Sequence, residues 1–204
     1  MAAKHSSTKP PVIYTIGYSN RSYEDFLLLL RAHGIERVVD IRTVPRSQHN
    51  PQFNRENLAS ELPKTGIGYV HLKELGGLRH PRRDSVNLGW KNSGFRGFAD
   101  YMDTPEFEEG LKKLLELAST ARTTVMCAEA VPWRCHRSVL ADALAARAVP
   151  VEHILSPTRA QPHSLTKFAR VENHRVTYPR VEGELFADTR KAASKKASQT
   201  KAEG

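Results

Sequence analysis

Long apolar runs are missing from this chain of 204 residues. None approaches the ~20 consecutive apolar residues of a membrane-crossing helix, so no membrane span is expected. Cysteine is scarce: two residues are too few for a disulfide framework. The basic opening "MAAKHSSTKPP" is followed by no apolar stretch that would make it an export signal. Together these absences predict a cytoplasmic protein with both thiols free. Acidic residues are also in deficit, 22 against 31 lysines and arginines, which leaves a formal charge of +9. That excess raises nucleic acid as a partner. Much of it, however, sits in the last stretch, "TRKAASKKASQTKAEG", whose composition predicts a disordered basic tail over 189–204.

What is present is a soluble-domain composition, 39% hydrophobic and 26% charged. Short β-rich runs alternate with helical ones. "VIYTIG" (12–17), "IERVVDIR" (35–42), "IGYVHL" (67–72), "TTVMCA" (123–128) and "VEHIL" (151–155) read as buried strands. Between them lie helical segments. One follows Ser22, which stands in capping-box spacing with Asp25. Another opens at Thr104–Pro105, and a third is "CHRSVLADALAARA". A short helix is expected from Arg96, and 73–95 reads as a long irregular loop. Near-continuous apolar strands alternating with helices predict α/β architecture: a single three-layer, Rossmann-like domain with a mostly parallel sheet of about five strands. Expected boundaries are a flexible arm at 1–11, the domain at 12–160 and an appendage at 161–188. Within the appendage, "RVENHRVTYPR" is a possible last strand or hairpin.

Ligands of open parallel sheets bind at the carboxyl ends of the strands, and the chemically equipped residues gather there. Tyr18 and Ser19 end the first strand. Asp40 and Arg42 end the second and share a face, so they form either an ion pair or part of a sugar or phosphate pocket. The stretch "MCAEAVPWRCHRSVLADAL" (126–144) joins a strand end to a helix start. Arg137, in the first helical turn, is expected to hold an anion with the helix terminus. Glu129 and Asp40 are the expected catalytic bases. Arg42, Tyr18, Ser19, His136 and Cys135 are the expected substrate contacts. The alternative for Glu129 and Arg137 is an ion pair bracing the turn. Cys127, inside an apolar run, reads as a small hydrophobe. A metal site is not expected: Cys127, Cys135 and His136 lack a standard zinc spacing and an evident fourth ligand. A Cys–His nucleophile is likewise disfavoured, since sequence neighbours at a helix start point apart.

"TIGYSNRSYEDFLLLL", "VVDIRTVPRS" with "NPQFN", "GIGYVHLKELGG" and "MCAEAVPWRCHRSVLADAL" together resemble the bacterial family designated domain of unknown function 488. The Cys-x-Glu-x5-Cys-His-Arg signature carries the resemblance. It implies an α/β domain and no particular activity. It carries over Gly17, Tyr18, Ser19, Asp40, Arg42, Pro45, Ser47, Gly76, Gly77, Cys127, Glu129, Cys135, His136 and Arg137. Where the family often has a basic residue after Ser47, this chain has Gln48.

The function expected on these grounds is hydrolysis or group transfer on a phosphate- or ribose-bearing small molecule such as a nucleotide, with no cofactor required by the sequence. Two alternatives stand beside it. One is a nucleic-acid-binding accessory protein using the basic loops and tail, with Phe53, Trp90 and Phe95 interleaved. The other is a thiol redox or metal-binding protein built on Cys127 and Cys135.

Overall fold

A computed structural model describes residues 10–180. Residues 1–9 of the expected 1–11 arm, residues 181–188 of the expected appendage and the 189–204 tail lie outside them. The first strand, β1 (Ile13–Gly17), leads into α1 (Tyr23–Ala32), then β2 (Arg37–Asp40), α2 (Arg55–Lys64) and β3 (Gly68–His71). Two helices follow, α3 (Ser93–Tyr101) and α4 (Pro105–Thr120), then β4 (Thr123–Cys127), α5 (Arg137–Ala145), β5 (Val151–Ser156) and β6 (Arg159–Pro162). A hairpin, β7 (Arg170–Glu172) and β8 (Arg175–Thr177), completes the described chain. Helix starts follow their caps. Ser22 Oγ accepts from Asp25 N at 3.0 Å, Thr104 Oγ1 from Phe107 N at 3.3 Å, and Asn92 Oδ1 from Gly94 N and Phe95 N at 2.8 and 3.1 Å. The last cap sets α3 three residues earlier than expected, because Asn92 and not a later residue supplies the acceptor.

The six-stranded sheet runs β3-β2-β4-β1-β5-β6, parallel except for the β5–β6 pair. Helices cover both faces, giving the expected three layers. Phe26, Leu29 and Leu30 of α1 and Leu58 and Leu62 of α2 pack on Val38, Met126 and Ile16. On the other face α3, α4 and α5 pack Phe98, Phe107, Leu114 and Leu140 on Val39, Val125 and Ile13. The sixth strand, Arg159–Pro162, has no apolar signature because it is an exposed antiparallel edge.

The chain moves outward from β1 to β3 by way of α1 and α2, then returns by way of α3 and α4 to insert β4 between β2 and β1. β1 and β2 are therefore not neighbours; β4 separates them. The connections leaving β1 and β2 turn to one face and that leaving β4 turns to the other. A crevice thus opens on each side of β4's carboxyl end, which is the switch-point geometry of ligand sites in such sheets.

Beyond residue 161 the chain adds to the core and is no mere appendage. Val176 and Tyr178 are buried with α5, and the Tyr178 hydroxyl donates to Asp142 at 2.8 Å. Burial and the Asp142 charge both push the Tyr178 phenol up. Asp142 also accepts from His163 Nε2 at 2.8 Å and from Thr166 N at 3.0 Å. His163 Nδ1 lies 3.0 Å from His153 Nε2, and His153 Nδ1 lies 2.7 Å from the Thr15 hydroxyl. The chain of bonds ties β1, β5, α5 and the 163–178 segment together.

Burial, with help from His163 and Arg137, pushes His153 down to about 4 from the ordinary 6.5. The unfolded chain therefore binds this proton more readily, and stability should fall as pH drops from about 6.5 towards about 4, by at most roughly 3 kcal/mol. Urea midpoints across this window are expected to slope less steeply in His153→Gln than in the wild type. Parallel slopes would show that His153 is not the linked group.

Candidate functional site

The switch point holds a cavity of about 360 Å³. The register that builds it is even: Gly17 lies level with Cys127 and Asp40 with Met126. Tyr18 N bonds Cys127 O at 3.2 Å, Ser19 N bonds Ala128 O at 2.7 Å, and Ile41 N bonds Met126 O at 3.1 Å. Three strand ends thus project Tyr18, Arg42 and Cys127–Glu129 into one space. Thr43, Val44 and Arg46 extend the β2 side, while Gly77, Leu78, Asn92, Gly94 and Phe95 close the far wall. Arg134, Cys135 and His136 complete it from the turn before α5.

Of the residues expected at a site, Tyr18, Arg42, Glu129, Cys135 and His136 line this cavity; Ser19, Asp40 and Arg137 do not. Asp40 is wholly buried. Its carboxylate accepts from Arg42 Nε at 2.9 Å, Arg42 Nη2 at 2.6 Å, Arg42 N at 3.0 Å and the Tyr69 hydroxyl at 2.8 Å. It stands behind Arg42 as its counterion and does not line the cavity. Burial alone would lower Arg42; the bonds and charge of Asp40 outweigh it and raise the guanidinium further above its usual range. Burial and the Asp40 charge likewise push up the Tyr69 phenol. Arg42 also donates to Phe53 O at 2.7 Å and to the Tyr18 hydroxyl at 3.2 Å, so its plane is fixed from three sides.

Arg137 lies beneath the cavity, 1% exposed. Its Nη2 bonds the backbone carbonyls of Glu129 and Ala130, and its Nε donates to Cys135 Sγ at 3.5 Å. The alternative of an Arg137–Glu129 ion pair is not what forms: Arg137 bonds the backbone carbonyl of Glu129 and not its carboxylate. The Glu129 side chain is exposed and accepts from Val131 N at 3.3 Å. Ser19 adopts a positive φ of 47° at the turn after β1 and contributes through its backbone.

The two thiols and the imidazole converge, contrary to the expectation that Cys135 and His136 diverge. Cys135 is extended (φ −131°, ψ 148°) and His136 helical (φ −56°, ψ −14°). That break in the backbone swings both side chains to one side. His136 Nδ1 lies 3.6 Å from Cys135 Sγ and 3.8 Å from Cys127 Sγ. The thiol of Cys127 bonds that of Cys135, which holds Cys135 well below the ordinary thiol range and Cys127 well above it. His136 and Arg137 reinforce the first effect and burial the second. Cys127 is buried in the core, as expected of a small hydrophobe, and also lines the cavity. Asn92 is a further lining residue, and an Asn just ahead of a helical pattern is a cap signal.

Of the aromatic residues weighed as nucleic-acid platforms, Phe95 lines the cavity, while Phe53 and Trp90 pack against other rings. Phe53 is fully buried and stacks on Tyr18 at 4.2 Å. Trp90 packs against Phe95, Phe168 and Tyr178.

No curated protein and no solved structure matches the chain. The model of a domain of unknown function, DUF488, matches residues 22–144, from the cap of α1 into α5 and over more than half of the chain. The Cys-x-Glu-x5-Cys-His-Arg signature falls inside the match and lies along the floor and rim of the cavity. The chain belongs to the DUF488 family.

Proposed function

We propose that the chain is an enzyme acting on a phosphate- or ribose-bearing small molecule, such as a nucleotide, by hydrolysis or group transfer in the cavity above β4. One observation carries this reading: Arg42, Arg46 and Arg134 line a single cavity together with Glu129. Three guanidinium groups against one carboxylate favour an anionic ligand, and their planar donors suit phosphate oxygens. Arg42 is the fixed contact, because Asp40 and Phe53 hold its plane before ligand arrives. Arg46 and Arg134, both exposed, close on the anion from the rim. Glu129 is the group placed to take a proton from an attacking hydroxyl or water. Arg137 acts through others, setting the 129–130 carbonyls and the Cys135 sulfur.

Thermal-shift and calorimetric titration with inorganic phosphate, nucleoside mono- and diphosphates and ribose phosphates tests the reading. At least one should bind, and the Arg46→Ala/Arg134→Ala double variant should weaken it by about tenfold or more. Glu129→Gln should keep that affinity and lower kcat by ~100-fold or more. A panel without a binder, or undiminished turnover in Glu129→Gln, would overturn it.

A further inference from the structure

We infer that Cys127, Cys135 and His136 form a mononuclear site for a thiophilic divalent cation, zinc being the reference case, with its fourth position open to the cavity. This rests on ligand geometry and holds whatever the substrate proves to be. The three ligand atoms all lie within 4.8 Å of one another. A tetrahedral zinc with Zn–S of about 2.3 Å and Zn–N of about 2.0–2.1 Å sets S···N near ~3.5 Å and S···S near ~3.8 Å. The S···N separations are 3.8 and 3.6 Å and the sulfurs lie within 4.8 Å of each other, so ligation asks the imidazole to shift by a few tenths of an ångström and the two sulfurs to close by no more than about 1 Å.

The imidazole is held ready for this. Its ring sits against Gly77, where any Cβ would overlap it. Phe98 closes the other side with its ring centroid 5.0 Å away in an edge-on arrangement. Nε2 is buried without a hydrogen-bond partner among the described residues. Nδ1, aimed at both sulfurs, is therefore the only ring nitrogen with partners. Behind the ligands, Arg137 Nε donates to Cys135 Sγ at 3.5 Å, an outer-shell bond of the kind that orients a ligating thiolate.

No other His, Cys, Asp or Glu joins the group among the described residues. Cys127, Cys135 and His136 all line the cavity, so the vacant coordination direction faces the space where Arg42 and Glu129 also project. Two thiolates and one imidazole with an open fourth place is the ligand set of a catalytic zinc, whereas a structural zinc is closed by four side chains. The spacing Cys-x7-Cys-His conceals the site in sequence, because the loop after β4 must fold back on the strand end before the atoms meet.

The test uses the reduced full-length protein, stripped with a chelator and titrated with Co²⁺ and then Zn²⁺. Expected are one equivalent of bound Co²⁺, an intense thiolate-to-cobalt charge-transfer band, the visible bands of a tetrahedral ion, and displacement by Zn²⁺. X-ray absorption of the zinc form should give two sulfurs and one nitrogen. Cys127→Ser, Cys135→Ser and His136→Ala should each weaken Zn²⁺ by more than the ~10–100-fold typical of an outer-shell change. The wild-type spectrum decides the point even if a variant fails to fold: no stoichiometric charge-transfer band in the reduced protein overturns the site. So does undiminished binding in a folded Cys135→Ser. Phosphate titration of the stripped protein reads the arginine cavity separately, so loss of the metal site and loss of the anion site are distinguishable.

Discussion

Asp40→Asn is expected to destabilise the protein by about 3–5 kcal/mol, lowering Tm by roughly 6–20 °C, and to abolish anion binding. The wholly buried carboxylate accepts five bonds, and four of them come from Arg42. An amide of the same shape carries no charge, turns an N–H against donors, and leaves a cation only 5% exposed without its counterion. Removing both charges should behave differently. Asp40→Asn/Arg42→Met should regain much of the lost stability, because no uncompensated charge remains, while binding stays absent. A single variant whose Tm falls by no more than about 2 °C would show that Asp40 is dispensable to the fold. A double variant that binds phosphate normally would remove Arg42 from the site.

The second large effect is at Gly17. Its φ is not in the left-handed region, so the requirement is one of space. A Cβ there would overlap the carbonyl oxygen of Glu129 and stand 2.6 Å from its carbon and 2.8 Å from Arg137 Nη2. The Glu129 contacts are backbone and cannot rotate away, so Gly17→Ala must part β1 from the loop after β4. Overpacking of this kind costs about 1–3 kcal/mol. The greater consequence falls on the site, since the displaced segment carries Glu129 and the brace to Arg137. Ligand affinity should fall by tenfold or more, about 1.4 kcal/mol, with secondary structure by circular dichroism retained. Wild-type Tm together with wild-type affinity in Gly17→Ala would contradict the close approach of these elements.

Legibility in the sequence divides along physical lines. Of the five parallel strands, β1, β2 and β4 stand out because burial on both faces makes each a short apolar run, whereas β3 is a half-buried edge legible from its β-prone residues. The order of the strands does not stand out, since nothing in "TTVMC" records that it inserts between β2 and β1. β6 escaped because an exposed edge needs no apolar face. At the site, Tyr18, Arg42 and Glu129 are readable as polar residues at strand ends, and Cys135 and His136 as residues at a helix start. Asp40 and Arg137 were equally visible, yet their depth was not: a side chain one layer behind the wall has the same sequence signature as one upon it. The meeting of Cys127 with Cys135 and His136 depends on two backbone angles at residues 135 and 136, which residue type alone does not dictate.

The central placement of β1 has a consequence for how the molecule is made. β1 is synthesised before the other described strands, yet its two sheet partners are β4 and β5, and Thr15 meets His153 across 138 residues of sequence. A nascent chain therefore carries β1 unpaired until β4 has emerged, and completes its pairing only with β5. Topology of this sort predicts slow refolding relative to local-contact folds of similar size. It also predicts that chains stalled before β5 hold β1 with at least one edge bare, the state in which recruitment by chaperones or mispairing with another chain competes with folding.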